Sequence, residues 1–250
     1  MGLIQAVYTY ALKLKSGTEY LAFGRPIIKQ WVVRYASEKN RPDPKILDIG
    51  CGKGTDLENL RAALNDKADI YGVEMDEPCC AICREKGINA ISLDIEREPL
   101  PYPDGFFDLI LINQVLEHTK EIFFILSEIS RTLKKGGLLI VGLPNLATWH
   151  DRLLLLLGQQ PSGLKVLGPH IRGITLPGFR AFIECEGFFR LLEYRGSGFY
   201  PFPVRLSRPL AKRFPTLATS LFYKIERCEK QGTFIDVLKT RRFQTNYFMG

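Results

Sequence analysis

The sequence predicts an α/β fold in which a mostly parallel sheet carries helices on both faces. Short apolar runs at 45–49, 69–74, 89–93, 106–112 and 138–143 alternate with stretches of helical period, the βαβ pattern of a parallel sheet. The fourth run, Phe106-Phe107-Asp108-Leu109-Ile110-Leu111-Ile112, is continuous rather than alternating, as for a strand buried on both faces. The first run is followed at once by Gly50, Gly52 and Gly54 and then by Leu57, Leu60 and Leu64 at helical spacing. Strand, glycine turn and helix start, in that order, make a nucleotide-type site where backbone approaches a ligand that a Cβ would hold away.

At 250 residues the chain accommodates one large domain with extensions, and 46% apolar residues exclude a disordered chain. No apolar run approaches the roughly 20 residues that span a bilayer. Leu3, Ile4, Val7, Tyr8, Ala11 and Leu12 recur at helical spacing without a basic start or a small-residue cleavage site, so no signal peptide is expected. Six irregularly spaced cysteines argue against a disulfide framework and for a reducing, cytoplasmic setting. Cys80 and Cys83 form a C-x-x-C with no second pair at zinc spacing, so they read as helix cysteines. Charge is uneven: Arg190 to Gly250 holds 12 Lys/Arg against 4 Asp/Glu, whereas the other 189 residues hold 22 against 23. The basic excess thus lies in the last quarter.

Taken in order, residues 1 to 43 read as a helical cap broken at Gly17 and at Gly24-Arg25-Pro26, with Ile27, Ile28, Trp31, Val32 and Tyr35 as the apolar face of its second piece. Ile46-Leu47-Asp48-Ile49 is the first strand. Asp48 is costly at the end of a buried strand unless a ligand uses it, which points to cationic or hydroxyl groups rather than a pyrophosphate. Ile46-Leu47-Asp48-Ile49-Gly50-Cys51-Gly52-Lys53-Gly54 resembles the first motif of class I S-adenosylmethionine-dependent methyltransferases, of the methyltransferase type 11 and ubiquinone-biosynthesis kind. It lacks the glycine spacing of a dehydrogenase and the Lys-Ser/Thr ending of a phosphate loop. The resemblance runs from about Lys45 to Pro144. It implies a Rossmann-like seven-stranded sheet, mostly parallel with the last strand antiparallel, in a domain spanning 44–227, followed by an extension at 228–250.

The resemblance also implies S-adenosylmethionine as cofactor, held by Asp48, Gly50, Cys51 and Gly52 at the glycine turn. Glu74 ends the second strand, Asp69-Ile70-Tyr71-Gly72-Val73-Glu74, roughly 20 residues past the turn, where a carboxylate accepts both ribose hydroxyls; a solvated helix cap is the plainer alternative. Met75 would pack near the adenine. The third strand, Asn89-Ala90-Ile91-Ser92-Leu93, ends at Asp94-Ile95, where similar enzymes recognise the adenine edge. Pro103, Asp104, Gly105, Phe107 and Asp108 match the tail of the family's "P-F-x-D-G-x-F-D" pattern, and Asn113 follows the fourth strand on the cofactor side.

Asn113-Gln114-Val115-Leu116-Glu117-His118 stands at the carboxyl end of the fourth strand. In related quinone O-methyltransferases the comparable segment starts with an acid and can hold a divalent metal. Gln114 is a poorer ligand for a hard cation, so no metal is expected here, and Glu117 and His118 read as the start of the next helix, through Ile122, Ile125, Ile129 and Leu133. Lys134-Lys135-Gly136-Gly137 is a helix stop, and the fifth strand ends at Pro144-Asn145, with Asn145 expected at the acceptor. The stretch 146–179 interrupts the core pattern and reads as an acceptor lid containing His170-Ile171-Arg172, with Thr175 capping a helix over 176–186. His170 and His118 are the candidate general bases, their unperturbed pKa lying near working pH, and Arg172 a substrate ligand. The plainer alternative is that His170 and Arg172 tie the loop to the core. The sixth strand is Phe188 to Tyr194 and the seventh lies within 217–225.

These readings converge on methyl transfer to an acceptor oxygen of a small molecule, glycan or lipid-linked intermediate. Absence of an Asn-Pro-Pro-Tyr-type motif after the fourth strand makes nucleic acid the lesser expectation, although the basic last quarter keeps an RNA methyltransferase in view. A catalytically silent binding module that serves a partner enzyme is the other alternative. Between 199 and 222, Leu206, Leu210, Phe214 and Leu217 alternate with Arg205, Arg208, Lys212 and Arg213, a composition suited either to packing on the sheet edge or to peripheral contact with an anionic membrane.

Overall fold

The structure, a computed structural model, describes residues 24–240. The helical reading of residues 1–23 and the expectation for residues 241–250 lie outside the described residues. Helix α1 (Arg25–Glu38) starts with Pro26 in its first turn, where a missing N–H costs nothing. It is followed by β1 (Lys45–Ile49), α2 (Thr55–Ala63), β2 (Asp69–Glu74), α3 (Glu77–Glu85), β3 (Asn89–Ser92) and β4 (Phe107–Asn113). Then come α4 (Ile122–Thr132), β5 (Leu133–Pro144), α5 (Trp149–Leu156), α6 (Leu176–Ile183), β6 (Phe189–Ser197), α7 (Val204–Arg213), β7 (Ser220–Arg227) and a last turn, α8 (Val237–Thr240).

All seven strands join one sheet in the order β3-β2-β1-β4-β5-β7-β6. The first five pair in parallel, and β7 runs antiparallel between β5 and β6. This is the sheet the sequence predicts. Alternate residues of the central strands feed two cores. Leu47, Ile49, Ile110, Ile112, Leu139 and Val141 face the side covered by α4 and α6. Ile46, Leu109, Leu111, Leu138 and Ile140 face the side covered by α1, α2 and α3. A strand apolar on both faces is therefore needed wherever helices flank the sheet on both sides.

The chain leaves β1 for β2 and β3 on one side and crosses to β4 on the other, so the order reverses between β1 and β4. The loops that follow these two strands splay apart there and open a crevice, the place where doubly wound sheets take their ligands.

Boundaries differ from expectation where backbone geometry intervenes. Helix α4 stops at Thr132, and Leu133 is already paired with Phe107 across a bulge, so the Lys-Lys-Gly-Gly stretch belongs to the strand. Helix α6 ends at Ile183 rather than 186, because Glu186 and Gly187 both take left-handed backbone, with φ of 58° and 74°. Thr175 does cap it, its hydroxyl accepting from Gly178 N at 3.3 Å. A turn at Pro215–Leu217 delays β7 to Ser220.

Candidate active site

The glycine turn after β1 forms the floor of the crevice. Gly50 has φ of +75°, and a Cβ there would fall 2.4 Å from Val115 Cγ2, so only glycine lets this loop lie against the loop after β4. Gly52, at φ of +51°, donates its N–H to Glu74 Oε2 at 2.9 Å. The other oxygen of Glu74 accepts from Met75 N at 2.8 Å and Asp76 N at 3.2 Å. The carboxylate is thus fixed between the glycine loop and the turn after β2. Asp76, not Glu74, caps α3, through Cys79 N at 3.3 Å.

Asp48 is 3% exposed at the end of β1. Burial pushes its pKa well above the ordinary aspartate range; the nearby charges of Asp56 and Glu74 act in the same direction, and Arg25 opposes them. Arg25, carried in by α1, pairs with Asp56, whose second oxygen accepts from Asn113 Nδ2 at 3.3 Å. The cavity these residues enclose measures about 250 Å³ and is lined by Arg25, Asp48, Gly52, Asp56, Asn113 and Gln114.

The structure therefore brings together Asp48, Gly50, Cys51, Gly52, Glu74 and Asn113 as the sequence anticipates. Met75, 72% exposed, lies at the rim, its carbonyl accepting from Ser92 Oγ at 3.1 Å. Asp94 and Ile95 are half-buried after β3, where Asp94 caps the following turn by accepting from Glu96 N at 3.0 Å. Cys51 is buried beside Asp48, and burial pushes its thiol out of the reactive range. Cys80 and Cys83 are free and buried, each thiol donating to a backbone carbonyl (Glu74 at 3.5 Å, Gly52 at 3.2 Å), which fits helix cysteines rather than a zinc pair. Arg25 and Asp56 meet only in the folded chain. A pair joined only by the tertiary fold leaves no local pattern.

Acceptor-side residues are placed as follows. Gln114 takes left-handed backbone at φ of 58°, donates its N–H to Gly142 O at 2.8 Å, and buries a side-chain nitrogen that has no hydrogen-bond partner among the described residues. His118 and His170 meet edge to face with centroids 4.7 Å apart. Glu117, read as a helix start, instead sits in a single 3-10 turn (Leu116–His118), is 1% exposed and has a pKa pushed up to about 7 by burial. Arg172 donates from Nε to Thr119 O at 2.9 Å and also to Lys120 O, tying its loop to the turn while lining a second cavity. Asn145 is buried, with Nδ2 donating to Thr216 O and Ala218 O at 2.9 Å each and Oδ1 accepting from Ala147 N at 3.0 Å. Its polar atoms brace the approach to β7.

An acidic, glycine-floored crevice at the switch point suits a ligand that carries positive charge beside ribose hydroxyls, with the buried Asp48 facing the charge. Fold and crevice together are those of the class I S-adenosylmethionine-dependent methyltransferases. Within that class the chain belongs to the MetW family: the family profile, described as methionine biosynthesis protein MetW, matches residues 32–169. It is also 28% identical over 142 residues to the ubiquinone/menaquinone biosynthesis C-methyltransferase UbiE of Shewanella baltica (strain OS155 / ATCC BAA-1091), covering 54% of this chain and 55% of that protein. An uncharacterized 37.1 kDa protein in transposon TN4556 of Streptomyces fradiae is 32% identical over 108 residues, covering 42% of this chain and 31% of that one. The chain thus spans about a third to just over half the length of these curated relatives. Among solved structures, a SAM-dependent methyltransferase from Archaeoglobus fulgidus shares the fold at TM-score 0.51 and 18% identity, covering 83% of this chain and 99% of that one. A chain solved with the Haloferax volcanii Trm112 methyltransferase activator does so at TM-score 0.55 and 14% identity, covering 83% and 98%.

Proposed function

We propose that this protein transfers the methyl group of S-adenosylmethionine to an oxygen of a small-molecule, glycan or lipid-linked acceptor. The observation that carries the reading is the juxtaposition of two sites. The acidic cofactor crevice ends at Gln114. Two residues on, Leu116 lines a second cavity of about 330 Å³, with Ile122, Ile171, Phe179 and Phe182 in its wall and Arg172 and Thr175 as its polar groups. A cavity with one cation in a largely aliphatic and aromatic wall suits a small organic acceptor better than a phosphodiester chain.

In this reading Asp48 and Glu74 hold the cofactor, Asp48 against its cationic end and Glu74 against the ribose. The cofactor supplies an electrophilic methyl group, and the chain aligns an acceptor oxygen with it. His118 and His170, held through Nδ1 by Pro169 O and Gly163 O, serve in this reading as proton acceptors for a hydroxyl. The RNA alternative finds its support in the basic residues of α7, and the silent-module alternative in the completeness of the cofactor crevice, which by itself demands no acceptor. Contact with a membrane surface through 199–222 would deliver a lipid-linked acceptor.

Incubating the protein with methyl-labelled S-adenosylmethionine and cell extract tests the reading. Label should pass to a molecule whose mass rises by one methyl and which loses one exchangeable hydroxyl proton. Glu74→Ala should weaken cofactor binding by on the order of 2 kcal/mol, roughly 30-fold, the cost of losing hydrogen bonds to a charged acceptor. Label found on nitrogen or carbon would overturn O-methylation. Label that never leaves the cofactor would favour a module serving a partner enzyme.

A further inference from the structure

Glu117, His118 and His170 form a cluster of their own beside the cofactor crevice. One donor atom from each lies within 4.8 Å of the other two. Glu117 is 1% exposed, yet among the described residues neither oxygen of its carboxylate has a hydrogen-bond partner. Buried carboxylates are nearly always paired, because an orphaned one forfeits its full solvation.

Both imidazoles are held with one nitrogen turned away from the space left over. His118 Nδ1 lies 3.1 Å from Pro169 O, and His170 Nδ1 lies 2.7 Å from Gly163 O. A carbonyl only accepts, so each ring carries its proton on Nδ1 and keeps a bare lone pair on Nε2. Nε2 of His118 stands 3.8 Å from Glu117 Oε1. That is too far for a hydrogen bond. Two ligands in a tetrahedral shell with bonds of about 2.0–2.1 Å stand roughly 3.4 Å apart, so an ion would draw these two atoms together by a few tenths of an ångström. A backbone carbonyl on the far nitrogen is also the usual device for fixing the tautomer of a metal-bound histidine.

The frame is built in advance. Ile171 N and Arg172 N both donate to Glu117 O, at 2.9 and 3.3 Å, so the His170 loop is pinned to the turn that carries the other two residues. His118, with its side chain 40% exposed, leaves a path from solvent.

We propose that Glu117, His118 and His170 bind one divalent transition-metal ion, with an open position for an oxygen of the molecule in the adjacent cavity. Two imidazoles and one carboxylate suit a borderline ion such as zinc better than magnesium or calcium, which prefer an all-oxygen shell. Three protein ligands are the number that leaves a coordination site free. The expectation of no metal rested on Gln114; the third donor comes instead from the lid loop. The site stands whether or not the acceptor reading does. If both hold, the histidine lone pairs are taken by the ion, which would lower the pKa of a coordinated acceptor hydroxyl so that its proton passes to water rather than to imidazole.

The test is a titration of the chelator-stripped full chain with Co²⁺ and with Zn²⁺, followed by calorimetry and absorption. One equivalent should bind saturably, Co²⁺ giving visible d–d bands without thiolate charge transfer. His170→Gln and His118→Gln should each weaken affinity by more than the roughly 10–100-fold that follows loss of an outer-shell partner. Far-UV circular dichroism and S-adenosylmethionine affinity should stay unchanged, which separates this outcome from failure of the cofactor crevice. No saturable binding, a thiolate charge-transfer band, or undiminished affinity in His170→Gln would each overturn the proposal. His170 lies in a loop, so that variant remains a fair test should Glu117→Gln fail to fold.

Discussion

Asp48 works against the stability of the empty protein. Its folded pKa is raised above the ordinary value of 3.8, chiefly by burial and further by Asp56 and Glu74. An acid raised in this way is protonated in the folded chain while the unfolded chain has already released its proton. The unfolded state therefore binds fewer protons, and stability falls as pH rises from about 4 towards the raised folded value. The cofactor-free protein should lose unfolding free energy across that range, and Asp48→Asn should flatten the loss while weakening binding of the cationic cofactor. Urea unfolding at a series of pH values decides it; equal slopes in both proteins would sink the idea. Asp48 was legible in the sequence because a carboxylate in an apolar run is anomalous by itself. Arg25 and Asp56 were not, since their pairing spans 31 residues and depends on where α1 comes to rest. Glu117 was visible, but its burial was not: nothing in Val-Leu-Glu-His tells a short 3-10 turn from the first turn of a helix.

Helix α1 shows the same limit one scale up. Its apolar face is plain in the spacing of Ile28, Trp31, Val32 and Tyr35, all of them buried. What that face packs on could not be read. Trp31 is fully enclosed, donates from Nε1 to Glu193 Oε2 at 3.0 Å and lies under the Arg195 guanidinium, 5.4 Å from its ring centre. Replacing it with alanine should cost about 3–5 kcal/mol, from lost burial together with the cavity left behind. The urea midpoint should fall with little change in slope. A loss below about 1 kcal/mol would mean that α1 is not part of the cooperative core. The strands were the most legible elements, because burial on two faces forces continuous apolar runs. Element ends were less so, the end of α6 being set by positive φ at Glu186 and Gly187 and the start of β5 by early pairing at Leu133.

For the molecule as a whole, the surface of the lid and of α7 bears on where the acceptor comes from. Leu210 and Leu217 turn inward onto Phe199, Ala211 and Ala218, so the single apolar face expected over 206–217 is split. Leu206 and Phe214 stay exposed, and the lid adds Leu155, Leu156, Val166 and Leu167. Trp149 joins the two regions, its ring 6.3 Å from that of Phe202 and its Nε1 donating to Tyr200 O. With Arg205, Lys212 and Arg213 on α7, apolar burial and attraction to anionic head groups would add. No helix among the described residues is long and apolar enough to cross a membrane. Sedimentation with liposomes should therefore carry down more protein when anionic lipid is present. Equal recovery in the supernatant, with and without it, would favour a soluble acceptor.

The grip of β6 and β7 on α1 has a consequence in time. Gly24 lies so close to the Phe222 ring that a Cβ there would fall 2.2 Å from it, and Trp31 is bonded to Glu193. Arg25, one wall of the cofactor cavity, is delivered by the first described helix and braced by the last two strands. A chain emerging from the ribosome can pair β1 with β2 early, yet it cannot set that wall until Phe222 has cleared the exit tunnel. Such long-range closure is slow. The cofactor crevice is thus among the last parts of the molecule to be finished, and a nascent chain halted before β7 would carry the glycine turn without the side that closes over it.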